Sequence, residues 1–239
     1  VRARRSRIGV GSICAAVGDS ITEGYFGRAF LVPSLDLASG LFPPESVSRD
    51  GRNFPQFAPT ARAHLPSANC FESWMTRLND LLSRRLGRPV FIANEGRGGI
   101  TARGYRALVA SNAAWRARMR ALAPDIWLLH LGVNDGRAGI PPAAFRADMA
   151  GLVRALVRSF GASPGRIFVA KPSYDAFPGA ERLLAAYREE IDRLVAGMGL
   201  RPGPDFHAAY AAGRRRWYGT DPVHPNVRGM ARMVRLWCA

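Results

Sequence analysis

Residues 13–22 read ICAAVGDSIT, an unbroken apolar run that ends on a glycine, an aspartate and a serine. Ile13 to Val17 lack the polar alternation of a half-exposed strand, the pattern expected where both faces of a sheet are covered. The residues ahead of them, VRARRSR and then IGVGS, mimic the basic and apolar regions of a signal peptide. The apolar stretch nevertheless continues without a break into Gly18-Asp19-Ser20-Ile21-Thr22, and cleavage there would destroy that turn. Ile13–Val17 is therefore read as the first core strand.

Three similar short runs follow, at Val90–Ala93, Ile126–Leu131 and Ile167–Ala170. Between them, apolar residues recur at three- and four-residue spacing over Phe71–Leu86, Tyr105–Leu122, Ala143–Phe160 and Ala180–Met198. A last such stretch lies near Val227–Trp237. Strands alternating with helices predict an α/β fold: a three-layer α/β/α sandwich with a mostly parallel, flavodoxin-like central sheet. In such sheets ligands sit beyond the carboxyl ends of the strands. Residues 1–239 read as a single domain with an irregular, Pro-rich insertion at 25–68. Tyr25 to Ala68 hold Pro33, Pro43, Pro44, Pro55, Pro59 and Pro66 and show no sustained period. The aromatics Phe30, Phe42, Phe54 and Phe57 favour a packed flap over a loose linker. Because the insertion starts a few residues past Ser20, it reads as a wall at the rim of a pocket, with a decorative surface loop as the alternative.

Composition narrows the function classes. Hydrophobic residues make up 48% of the 239 and charged residues 22%, so disordered and fibrous classes are excluded. No stretch approaches the roughly 18 apolar residues of a membrane-spanning helix. The net charge is +16, and Lys171 is the only lysine among 34 basic residues. Arginines are spread over almost every predicted helix instead of clustering on one element with aromatics between them, which argues against a specific nucleic-acid partner. Two small runs stand out: Arg2, Arg4, Arg5 and Arg7 at the start, and Arg214, Arg215 and Arg216 close to Asp221. The triplet reads as a solvated basic surface, with steering of anionic substrates as its functional alternative. Cys14, Cys70 and Cys238 allow at most one internal disulfide and leave the compartment open. There is no CxxC, no HExxH and no His/Cys cluster, so neither a metal nor any other cofactor is implied.

Four motifs fall at strand ends or in the terminal loop. They are Gly18-Asp19-Ser20-Ile21-Thr22, Asn94-Glu95-Gly96-Arg97-Gly98-Gly99, Gly132-Val133-Asn134-Asp135 and Asp221-Pro222-Val223-His224-Pro225-Asn226. Each alone is weak; all four in this order are a strong signal. With them the sequence resembles the SGNH hydrolases, the GDSL esterase/lipase family, from Ile13 to about Trp237 outside the insertion. The resemblance implies a catalytic triad of Ser20, Asp221 and His224. It also implies an oxyanion hole built from the backbone N–H groups of Ser20 and Gly99 and the side chain of Asn134. The family's usual Leu after GDS is Ile21 here.

The residue chemistry supports the same reading. A serine hydroxyl is a poor nucleophile until a neighbouring base takes its proton. A histidine does this when a carboxylate fixes its tautomer, and a three-residue offset brings Asp221 and His224 to one side of a turn. A small residue at Gly99 permits close approach of a backbone N–H, and Asn134 adds a neutral donor. The alternatives are an N-capping Ser20, a surface His224 and a plain Asn134-Asp135-Gly136 turn. His130 reads as a core residue, and His64 and His207 carry no motif.

Two decoys fall away. Gly161-Ala162-Ser163-Pro164-Gly165 matches a nucleophile elbow but follows a helix and precedes a strand, the reverse of what that elbow requires. Gly96-Arg97-Gly98-Gly99-Ile100-Thr101 hints at a dinucleotide loop but has Thr101 where the third Gly belongs. The expected activity is hydrolysis of a small-molecule, glycan or lipid ester through an acyl-enzyme, by a short-acyl esterase or deacetylase. An acyltransferase or a lysophospholipase/thioesterase on the same scaffold is the alternative. A catalytically dead binding protein and a flavodoxin-like nucleotide binder fit the motifs less well.

Overall fold

The computed structural model describes residues 12–24, 73–177, 179–218 and 223–239. The 25–68 insertion, Cys70 and Asp221 lie outside the described residues, as do the side chains of Arg214 and Arg215. Among the described residues five strands form the sheet: β1 (Ile13–Gly18), β2 (Phe91–Gly96), β3 (Ile126–His130), β4 (Ile167–Lys171) and β5 (Arg201–Asp205). Their spatial order is β2-β1-β3-β4-β5, and every pairing is parallel. This is the doubly wound order whose reversal point lies between β1 and β3.

Helices cover both faces. On one side are α3 (Ala102–Ser111), α4 (Ala113–Leu122), α6 (Pro142–Phe160) and α7 (Ala180–Met198); on the other are α2 (Trp74–Leu86), α8 (Phe206–Ala211) and α10 (Val227–Trp237). Successive β1 residues go to opposite cores. Ala15 and Val17 face Tyr105 and Trp115, while Cys14 and Ala16 face Trp74 and Met233. The continuous apolar reading of Ile13–Val17 thus has a direct cause, burial on both faces. Cys14 and Cys238 are free thiols. No described helix is long and apolar enough to cross a membrane.

The structure departs from the sequence reading in three places. The Tyr105–Leu122 helix is two helices that meet at Asn112. Its backbone N–H ends α3 on the Leu108 carbonyl, and its Oδ1 accepts from Trp115 N at 2.8 Å to start α4. A polar side chain able to cap outweighed continuous apolar spacing. The fifth strand, Arg-Pro-Gly-Pro-Asp, was not expected. Among the described residues it is an edge strand, a position where prolines are tolerated, and a Cβ at Gly203 would come within 2.8 Å of Ala170 N on β4. Finally, four helices are short: α1 (Ser20–Glu23), a single turn that opens at Ser20 as expected, and α5 (Val133–Arg137), α8 and α9 (Arg214–Trp217), which the apolar spacing does not signal.

The first of these is wedged against the sheet. A Cβ on Gly96 would lie 2.1 Å from the backbone nitrogen of Glu23, so the α1 turn and the end of β2 meet with no room for a side chain. Gly96→Ala is expected to destabilise the protein by about 3 kcal/mol or more, because backbone must move. Gly197→Ala, on α7 with open space around it, should instead stabilise by ~0.5–1 kcal/mol. Denaturant midpoints of the two variants check this, and a Gly96→Ala protein as stable as wild type would contradict the packing of α1.

Candidate active site

The carboxyl ends of β1, β2 and β3 and the approach to α10 each contribute one group. Asp19, not Ser20, is the N-cap of α1: its Oδ1 accepts from Ile21 N at 3.0 Å. The Ser20 hydroxyl is thereby left for another partner, and Ser20 Oγ lies 2.8 Å from His224 Nε2 across 204 residues of sequence. The capping alternative for Ser20 is excluded by this geometry. The turn closes at Gly24, whose N–H reaches Ser20 O at 3.1 Å. Since α1 is a single turn of four residues, its dipole is small.

Gly99 sits in the turn after β2, which Arg97 N fixes by donating to Gly18 O at 3.0 Å. Its φ is +72°, and no atom lies within 4 Å of where its Cβ would be. Glycine therefore serves the left-handed backbone here, and close approach of protein atoms is not the reason for it. Asn134 follows β3 at the start of α5 and donates from Nδ2 to Ile100 O at 3.0 Å. An amide carries a second N–H. The next residue completes the tie: both Asp135 oxygens accept from Ala102 N at 3.1 Å. Asn134-Asp135-Gly136 is thus no plain turn but the first part of a short helix that staples the Gly99 turn to the end of β3.

Of the five residues singled out by motif, the structure brings Ser20 and His224 into hydrogen-bond contact. It also joins Asn134 to the residue after Gly99; Asp221 lies outside the described residues. His130 is fully buried as expected, with Nε2 3.2 Å from Ser173 Oγ. Burial pushes its pKa down to about 3, so it stays neutral. Ser163 lies between α6 and β4, preceding a 3-10 turn at Pro164–Arg166, which removes it as a nucleophile elbow. Arg216 and Arg232 each place a guanidinium 4.8 Å from the Trp217 ring, so Arg216 serves in a stacked cluster. Among the described residues no group of three or more His, Cys, Asp or Glu side chains could hold a metal.

Sequence reasoning missed two supporting carboxylates. Asp19 and Asp135 are each 1% exposed. Burial, with the Asp135 carboxylate adding to it, raises Asp19 to about 7 against the Ile21 N–H bond. Burial likewise raises Asp135 to about 6, opposed by the Ala102 N–H. Asp19 Oδ2 is buried with no hydrogen-bond partner among the described residues, which adds to the cost of ionising it.

The sequence matches the GDSL-like Lipase/Acylhydrolase family over residues 16–232. The chain belongs to this family. It is accordingly a carboxylic ester hydrolase of the GDSL type. No curated protein matches it in sequence. Solved structures do resemble it in fold. LAE5, an alpha/beta hydrolase enzyme from the metagenome of Lake Arreo, Spain, is 16% identical over 96% of this chain and 94% of that one, with a TM-score of 0.64. A lipase/acylhydrolase from Enterococcus faecalis is 16% identical over 94% and 92%, with a TM-score of 0.62. Axe2, an acetylxylan esterase from Geobacillus stearothermophilus, is 18% identical over 96% and 93%, also at 0.62.

The buried cap gives this GDSL hydrolase a pH signature. A raised folded-state pKa means that the folded protein holds the Asp19 proton more tightly than the unfolded chain does. Its contribution to stability is therefore complete below the unfolded value of 3.8 and is lost as pH rises through about 7. Asn keeps the capping oxygen without the charge. Asp19→Asn should raise stability at pH 8 by on the order of a few kcal/mol and flatten the decline between those two values. Thermal melts at pH 4 and pH 8 check this; an equal effect of the substitution at both would contradict it.

Proposed function

We propose that the chain is a serine esterase that cleaves short-acyl carboxylic esters, acetyl esters of carbohydrate alcohols among them, through an acyl-enzyme. One observation carries the reading: the 2.8 Å contact of Ser20 Oγ with His224 Nε2, beside the turn and short helix that hold Gly99 and Asn134. Ser20 Oγ attacks the ester carbonyl carbon while His224 Nε2 takes the hydroxyl proton. The developing oxyanion is met by the N–H groups of Ser20 and Gly99 and by Asn134 Nδ2. The intermediate collapses by breaking the bond to the alcohol oxygen, which leaves with the proton held by His224. Water then enters, gives a proton to His224 and its oxygen to the acyl carbon, and the acid departs as the proton returns to Ser20. Asp221, three residues before His224, is the carboxylate that would orient the imidazole.

The short-acyl preference draws on the likeness to the acetylxylan esterase Axe2. Forms of that esterase with a serine or an aspartate replaced by alanine are described as catalytic mutants, and here Ser20 and Asp221 would fill those parts. Ser20→Ala is expected to abolish turnover of an acetyl ester and labelling by a fluorophosphonate, with the circular dichroism spectrum unchanged. The loss should approach the roughly 10⁶ in kcat seen where a nucleophile is removed from a triad. Ser163→Ala should behave as wild type. A Ser20→Ala protein that kept a tenth of the activity would overturn the assignment.

A further inference from the structure

Asn226 ends the fourth motif and has no part in the chemistry described so far. It uses every polar atom it has. Its backbone N–H donates to Trp217 O at 2.8 Å, and its carbonyl accepts from Met230 N at 2.8 Å. Its Oδ1 accepts from Gly229 N at 3.0 Å, which caps α10. Its Nδ2 donates to two carbonyls on the opposite side of the loop base, Arg216 O at 3.1 Å and Tyr218 O at 2.9 Å.

These bonds fall where the chain leaves for and returns from the His224 segment. Tyr218 and Pro225 form an isolated antiparallel bridge, so His224 stands one residue from the closure. The outgoing side is anchored again by Tyr218 Oη, which donates to Tyr174 O at 2.7 Å beyond β4. The returning side packs without slack: a Cβ on Gly229 would lie 2.3 Å from Trp217 O.

A cap alone does not call for this side chain. Ser, Thr and Asp offer the same acceptor oxygen. Among the usual capping side chains only Asn joins an acceptor to two N–H donors on one rigid plane. From this arrangement we propose that Asn226 is a positioning residue for His224. It fastens the end of α9 to the start of α10 and so holds Nε2 at hydrogen-bond distance from Ser20 Oγ. The proposal rests on the reading of Ser20 and His224 as the reacting pair. A displacement of about 1 Å in such a pair costs on the order of 10²-fold in rate.

Two variants separate clasp from cap. Asn226→Asp and Asn226→Ser both keep an oxygen for Gly229 N and remove the donors to Arg216 O and Tyr218 O. The first leaves an oxygen facing those carbonyls, and the second leaves only space. For both, kcat and the rate of fluorophosphonate labelling per folded molecule should fall about 10- to 100-fold. KM should stay near the wild-type value, and Asn226→Ser should melt close to wild type. A merely structural Asn226 would lower the melting temperature and leave kcat per folded molecule unchanged, and that result would overturn the proposal. Labelling of the wild-type protein at a residue other than Ser20 would instead overturn the reading beneath it.

Discussion

The hydrogen bond between Ser20 Oγ and His224 Nε2 joins the first turn of the fold to the last, and the positions of the other site groups make sense only around it. Nothing local can create a contact between residues so far apart in sequence. It exists because β1 sits in the middle of a parallel sheet, with β2 on one side and β3 on the other. Three successive turns therefore open at the same edge. The helix that closes the opposite face, α10, starts beside that edge and brings His224 with it. On the proposed mechanism the sheet order is thus a catalytic property as much as an architectural one.

Rigidity at this edge comes from short polar ties. Asp19 caps α1 and frees the serine hydroxyl; Asn134 and Asp135 fasten the Gly99 turn. The cost is electrostatic. Two carboxylates are held out of water, the Asp135 charge adds to the burden on Asp19, and the N–H bond from Ile21 does not offset that burial. A stability optimum would place neutral groups there. Retaining acids beside the proposed nucleophile is the kind of local conflict expected where geometry for chemistry outranks stability.

Much of this was legible in the sequence because it rests on patterns with a fixed physical meaning. Strands buried on both faces read as unbroken apolar runs, and Ala180–Met198 and Val227–Trp237 read as helices at their observed limits. The four motifs located Ser20, Gly99, Asn134 and His224. What stayed hidden depends on neighbours distant in sequence. β5 has no apolar signal: its prolines are tolerated at an edge, and its glycine is set by the close approach of β4. Asn112 breaks a helix through one side-chain bond that apolar spacing does not register. Asp19 and Asp135 looked like ordinary turn residues until their partners, Ile21 N and Ala102 N, were known. The several bonds of Asn226 could not be read from a motif whose evident chemistry ends at His224.

The central claim is that Ser20 carries the acyl group during turnover. It is tested most directly by mixing the protein with an activated acetyl ester, quenching within the first turnovers and mapping the adduct by mass spectrometry. The account predicts one acetyl group, on the peptide that contains Ser20, formed during a burst of alcohol release and lost at the steady-state rate. An acetyl group on any other residue that formed and decayed at the rate of turnover would contradict it.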